Sequence, residues 1–268
     1  MKITVLGSGM DASQIPGITN RFPPGYLLEW GKGKILIECP ESIRFRLEEI
    51  GVDYASIQHL AISHSHPDHY ALPQYLQSVW NKGYLTDKNY INHNLNIYGP
   101  SSLINKIDEL LQFFRPGWLS VLVLPKLILK ALPQKSTLII NGLKLSAINV
   151  YHGSKDLDSL AFRFEYNKKV IVYSGDTGDC KEIRKISLNA DLFLCDCSAP
   201  IDNKQILKLN VHLNPKLAGD IAKNSNVKKL VLCHYSGLDS EEKMIKNCRK
   251  SGYKEEIIIA KDLQIVEL

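Results

Sequence analysis

His64-Ser65-His66-Pro67-Asp68-His69 gathers three imidazoles and a carboxylate into one short turn. Histidine occupies only 8 of 268 positions, so three of them with an aspartate at these offsets point to a metal site. An apolar run of strand type, residues 58–63, precedes the turn. After it, Leu72, Tyr75, Leu76 and Val79 recur at helical spacing over residues 70–80, with Pro73 suited to a first helical turn. The spacing therefore predicts a loop clamped between a strand and a helix, from which several side chains can converge on one point. The bland reading of the same residues is a polar surface loop rich in histidine.

Further along, residues of metal-binding type recur just past apolar runs. Residues 144–151 read as a strand before His152, and 169–174 as a strand before Gly175-Asp176-Thr177. Residues 191–195 lead to Asp196, and 229–233 to His234. In a layered α/β protein the ligand crevice lies at one end of the sheet, so such residues are placed to meet there. Singly, each is as well explained as a turn or a satisfied polar residue.

In the order and spacing of these stretches the chain resembles the metallo-β-lactamase superfamily of binuclear metal hydrolases. The opening run Met1-Lys-Ile-Thr-Val-Leu-Gly-Ser-Gly9 and the stretch Ile35-Leu-Ile-Glu-Cys39 belong to the likeness. Asp196-Cys197-Ser198, Val211-His212-Leu213-Asn214-Pro215 and Leu230-Val-Leu-Cys-His-Tyr-Ser236 are similar to motifs of its RNase Z-like and cyclic-phosphodiesterase branch. The resemblance implies an α/β fold, a four-layer αββα sandwich with two mixed sheets, forming a single domain over 1–268. It implies one metal site held by His64, His66 and His152, another held by Asp68, His69 and His234, and Asp176 bridging both. Two Zn2+ are expected, with Mn2+ or Fe2+ as substitutes, because imidazoles with a few carboxylates suit a borderline cation.

On the same resemblance, catalysis would use a metal-bridging hydroxide as nucleophile, its pKa lowered to ~7 by cations ~3.5–4 Å apart. Asp68, Asp196 and His212 complete the catalytic set. A departing alkoxide needs a proton, which His212 would donate as general acid, oriented by Asp196 where glutamate is usual in that branch. Glu38 stands where relatives often carry aspartate and is either a support for a ligating imidazole or an ordinary strand-end residue. His59 and His93 fall outside the motif and take structural roles. The six cysteines form no CxxC pair and read as reduced, packing residues.

The expected activity is a metal-dependent phosphodiesterase acting on a small anionic substrate or short RNA. Thioester, lactone or β-lactam hydrolysis and tRNA 3′ processing are the alternatives. Only 23 residues separate His152 from Asp176, room for a hairpin but not for the long arm that tRNA-processing relatives often carry there. A redox di-iron member commonly has glutamate at the position of His66. The net charge of +5 admits an anionic substrate, yet no dense basic tract marks a nucleic-acid platform.

Residues 101–114 read as an amphipathic helix, and 118–132 as an apolar stretch broken by Pro125 and Pro133, too short for a bilayer span of ~20 residues. That region reads as core or subunit-contact packing in a possible homodimer, or as a lid offering Phe113, Phe114 and Trp118 for stacking. The absence of a secretory pattern at Met1 leads to a cytoplasmic expectation and no membrane partner.

Overall fold

The computed structural model describes residues 1–10, 20–86, 92–114, 125–133 and 135–268. Runs of Ile, Val, Leu and aromatic residues form the strands, as their period-two and fully apolar patterns demand. In the first half these are β1 (Lys2–Gly7), β2 (Gly25–Trp30), β3 (Gly33–Ile37), β4 (His59–Ala61), β5 (Leu95–Gly99) and β6 (Leu127–Ala131). The helices there are α1 (Ile43–Glu49), α2 (Leu72–Thr86), α3 (Ser101–Ile104) and α4 (Ile107–Phe114).

The second half supplies β7 (Ser136–Ile140), β8 (Leu143–His152), β9 (Ser154–Tyr166), β10 (Lys169–Tyr173), β11 (Leu192–Asp196), β12 (Lys229–Cys233), β13 (Glu256–Ile259) and β14 (Ile265–Glu267). Its helices are α5 (Lys181–Ile186), α6 (Lys204–Leu209), α7 (Pro215–Asn224) and α8 (Glu241–Arg249).

Two seven-stranded sheets result, in the orders β14-β1-β2-β3-β4-β5-β6 and β13-β12-β11-β10-β9-β8-β7. Each sheet is mixed. β1, β2 and β3 pair antiparallel and β3 to β6 parallel; β7 to β10 pair antiparallel and β10 to β13 parallel. β14 returns to pair antiparallel with β1, so the chain's last strand completes the first sheet.

Three buried clusters define four layers. Val5, Tyr26, Phe162, Phe164 and Tyr173 fill the space between the sheets. Leu47, Leu72, Leu76 and Ile107 seal helices onto the first sheet, and Ile183, Ala218, Ile221 and Met244 seal helices onto the second. The architecture is the αββα sandwich. Burying a Leu or Phe side chain in such a layer contributes about 1.5–3 kcal/mol, which is how the two outer helical layers hold their sheets.

The 101–114 stretch forms two helices rather than one, because the chain turns at Asn105-Lys106, where the Lys106 N–H donates to the Leu103 carbonyl. Both pieces still bury one apolar face, through Leu103, Ile104 and Ile107. Residues 118–124 of the 118–132 stretch, with Trp118, lie outside the described residues, as does the side chain of Phe114; the later part of the stretch forms β6. Phe113 is 85% exposed, so it does not belong to the packed core. Among the described residues no helix is long and apolar enough to cross a membrane.

Candidate metal centre

Every singled-out donor sits at the same rim, where β3, β4, β8, β10, β11 and β12 end. His64 to His69 fill the turn between β4 and α2, His152 is the last residue of β8, and Asp176 follows β10. Asp196 is the last residue of β11, paired in register with Cys233, so His234 emerges beside it. Gly175 makes the approach to Asp176 workable: its φ is +58°, and a Cβ there would lie 2.5 Å from the Leu160 carbonyl oxygen. Glu38 and His234 also hold positive φ, 65° and 59°, a backbone cost typical of residues kept for a site.

Among the described residues two donor groups form, and a third, Asp176, Asp196, His212 and His234, overlaps both. His64, His66, His152 and Asp176 bring ligand-type atoms within 4.8 Å of one another, and so do Asp68, His69 and His234. His152 Nε2 lies 3.2 Å from His66 Nδ1, and 3.8 Å from Asp176 Oδ2. The second group is as tight, with His234 Nε2 3.3 Å from Asp68 Oδ2 and 3.4 Å from His69 Nε2. Asp176 reaches both: its Oδ2 is 3.9 Å from His64 Nε2 and 3.5 Å from His234 Nε2, and its Oδ1 is 3.3 Å from His69 Nε2.

These residues fit bound metal cations. His64 Nε2 and Asp176 Oδ1 are buried with no hydrogen-bond partner, a state that costs about 1–3 kcal/mol per group unless something binds there. Burial, with the neighbouring His69 ring, holds His64 well below the ordinary histidine range, so it offers a neutral lone pair. His66 is lowered for similar reasons, burial first and then the neighbouring His152 ring.

The second group behaves differently. Burial opposes a charge on His234, but Asp176 and hydrogen bonds to Asp196 and Asp68 outweigh it and hold its pKa at about 10. His69 is likewise raised, against burial, by Asp176 and Glu38. Asp176 and Asp68 stay ionised despite burial, because these imidazoles hold them far below the carboxylate range. In the protein by itself, the charges of His69 and His234 balance the ionised carboxylates that cations would otherwise engage.

The partners behind the donors complete the site. Glu38 is fully buried, accepts the Ser63 N–H at 3.1 Å, and places Oε1 3.5 Å from His69 Nδ1. It is therefore a support beneath the motif turn and not an exposed strand end. Ser63 Oγ lies 2.9 Å from His64 Nδ1, and the Val211 carbonyl lies 2.9 Å from His152 Nδ1. Such contacts set which ring nitrogen faces the cluster. A polar residue next to a donor, Ser63 before His64, was a signal for these supports; a backbone carbonyl such as that of Val211 has none.

His212 stands beside the cluster, its ring 4.9 Å from that of His152 and 5.3 Å from that of His234, centroid to centroid. His212 Nδ1 is 2.8 Å from Asp196 Oδ2, so aspartate reaches although it is one methylene shorter than glutamate. Asp196 is itself clamped, accepting from the N–H groups of Thr177 and Ser198 at 3.1 and 3.2 Å and from the Ser198 hydroxyl. Burial would raise its pKa, but His212, with a smaller contribution from His234, holds it at about 2. In return, Asp196 raises the pKa of His212, although burial opposes it.

The remaining histidines take structural places. His59 Nδ1 lies 3.0 Å from the Tyr98 hydroxyl, and His93 Nε2 2.9 Å from the Ala55 carbonyl. All six cysteines are free, and all but Cys180 are buried.

A four-layer αββα sandwich with this histidine–aspartate cluster at its rim is that of a metal-dependent hydrolase of the metallo-β-lactamase fold. The structure is similar to that of the metallo-β-lactamase fold protein YhfI from Bacillus subtilis, with a TM-score of 0.79 and 23% identity, covering 99% of this chain and 98% of that one. It is also similar to human tRNase Z, short form, with a TM-score of 0.72 and 21% identity over 100% and 99% of the two chains. Ribonuclease Z of Picrophilus torridus is 24% identical over 95% of this chain and 92% of its own length. The profile of the family described as "Anti-Pycsar protein Apyc1" matches residues 1–255, and the chain belongs to that family.

Proposed function

We propose that the protein is a phosphodiesterase in which two cations, zinc in the first instance, are held by His64, His66 and His152 and by Asp68, His69 and His234, with Asp176 between them. When bound, the cations would polarise a phosphoryl oxygen and acidify a water to act as nucleophile. Supporting this reading are two donor groups with the buried Asp176 carboxylate within 3.9 Å of His64, 3.3 Å of His69 and 3.5 Å of His234.

The observation that carries the choice of substrate bond is the Asp196–His212 pair, 2.8 Å apart and beside the cluster. Nδ1 of His212, bonded to the carboxylate, leaves Nε2 free to face a leaving group. Holding a proton there is what an alkoxide departing from phosphorus requires, and positioned acids of this kind contribute about 10²–10⁴-fold. A thioester or activated lactone has a better leaving group and gains little from it. The name ribonuclease Z borne by a relative matched along nearly its whole length also supports phosphodiester cleavage.

Small or short phosphodiesters are the proposed substrates. The interval from His152 to Asp176 is occupied by β9 and β10, both strands of the second sheet, which supports a substrate that needs no protruding arm. Pairing of β14 with β1 supports treating 1–268 as one domain.

The test uses purified protein reconstituted with zinc or manganese and a panel of bis-p-nitrophenyl phosphate, cyclic nucleotides, short RNA, thioesters and lactones. Phosphodiesters are expected to turn over, and His212→Ala to lose that turnover while keeping its metal. Turnover of thioesters or lactones alone, or an unaffected variant, would overturn the reading.

A further inference from the structure

The His212 ring is tied to Asp196 at 2.8 Å, but its backbone has few ties of its own. It lies between α6 and α7 in a segment with no regular structure, and α6 buries none of its residues. On the far side the chain is tied by Leu213, fully buried, whose carbonyl accepts the Ala199 N–H at 3.1 Å. On the near side α6 offers no buried anchor and Val211 is only half-buried. A proton donor must nevertheless keep its place to a fraction of an ångström.

Asn210 supplies the missing tie. Its side-chain Oδ1 accepts the Asp179 N–H at 2.8 Å, and its Nδ2 donates to the Asp179 carbonyl at 3.1 Å, a two-point clasp on the loop that carries Asp176. To make it, Asn210 adopts φ 51° and ψ 36°, a left-handed conformation that asparagine tolerates better than most residues. Gly178 lets the two loops touch. A Cβ there would lie 1.8 Å from the Asn210 carbonyl oxygen, closer than any real contact.

Both loops are braced from behind. Asp179 is held at 2.8 Å through both carboxylate oxygens by Arg184 of α5, which also reaches Asp220 of α7 at 2.9 Å. The Gly178 N–H and the Thr177 hydroxyl donate to the Tyr151 carbonyl, next to His152. The Val211 carbonyl closes the circuit on His152 Nδ1. Loops 151–153, 176–179 and 210–212 are thus one knot, carrying a candidate ligand, the shared carboxylate and the proton donor.

We propose that Asn210 is a positioning residue, which locks His212 against the loop of Asp176 so that proton donor and shared carboxylate keep a single relative geometry. The proposal rests on the phosphodiesterase reading for its catalytic consequence, but its geometric core stands apart from that reading. Asn210 touches no reacting atom and acts only through His212.

Asn210→Gly tests it, because glycine keeps the left-handed backbone while removing both side-chain bonds. Kinetics of the metal-loaded enzyme should show a leaving-group split. Diphenyl phosphate, whose phenolate needs the proton, should lose about tenfold or more in kcat, within the range a general acid supplies. Bis-p-nitrophenyl phosphate, whose leaving group does not need it, should lose about twofold or less by the same reasoning. Asn210→Gly on top of His212→Ala should cost nothing further, since a residue that works through another cannot be additive with its loss. Asn210→Asp, which keeps the acceptor and loses the donor, should fall between. In metal-free protein, the low-field proton resonance of the His212–Asp196 hydrogen bond should broaden or vanish in Asn210→Gly.

Equal losses on both substrates, additivity with His212→Ala, or an unchanged His212 resonance would overturn the proposal. If His212→Ala leaves phosphodiester turnover intact, the phosphodiesterase reading fails instead, and the resonance alone decides whether Asn210 holds His212.

Discussion

The two rims of the sandwich use the same residue types to opposite ends. At the rim where β3, β4, β8, β10, β11 and β12 finish, Glu38, Asp176 and Asp196 are almost fully buried and packed against imidazoles. At the other rim, carboxylates pair with lysines: Lys2 with Glu29 at 2.7 Å and Lys144 with Glu165 at 2.8 Å, both pairs partly exposed, and the buried Asp191 with the exposed Lys228 at 2.7 Å. Exposed pairs of the second kind are each worth about 0–1 kcal/mol. Carboxylates of the first kind are expensive to bury and are tolerated only where a partner or a cation completes them. The contrast teaches that one rim concentrates buried carboxylates among imidazoles, which is what the proposed chemistry needs, whereas the pairs of the other rim add only modest stability.

The sharpest way to break this comparison is Asp176→Ala. Because Asp176 lies within reach of both donor groups, the variant should lose both cations by elemental analysis and fall to background turnover. Wild-type metal content in that protein would remove Asp176 from the centre. His212→Ala comes next, with kcat on poor leaving groups falling by about 10²–10⁴ at unchanged metal content. Glu38→Gln is a step smaller. Weakening the support beneath His69 should lower metal affinity about 10–100-fold in a chelator competition, while turnover in excess metal stays near that of the parent.

How much of this rim was legible in the sequence depends on whether its residues are neighbours in the chain. The 64–69 turn announces itself because six consecutive residues carry four donors. His152, Asp176 and His234 were legible through position, each at or just past the end of an apolar strand, because strands of one sheet finish at a common rim. Strand ends themselves shifted by a residue or so: His152 and Asp196 close their strands instead of following them. Glu38 was ambiguous, since a strand-end glutamate looks the same whether it faces water or lies beneath a histidine. Asn210 and the carbonyl of Val211 left no pattern at all. Their role arises only when three loops distant in sequence are brought together, and such contacts have no period, spacing or composition to betray them.

At the opposite rim, Asp191→Asn offers the smallest effect and the cleanest sign. Asp191 accepts the Val170 N–H at 2.8 Å and pairs with Lys228. Burial would raise its pKa, but the Lys228 hydrogen bond and the Val170 N–H outweigh it and lower the pKa. A carboxyl lowered in the native state contributes stability that is fully present above its unfolded value and is lost as pH falls through the native one. Asparagine keeps an acceptor for Val170 but loses the charge. Because Lys228 is largely exposed, the cost near neutral pH should be about 1 kcal/mol or less, read from the urea midpoint. The gap between variant and parent should close in acid, where the parent's carboxyl is also neutral. A gap that persists unchanged in acid would mean that packing, not charge, is what Asp191 supplies, and the far rim would then be more like the site than the ion pairs suggest.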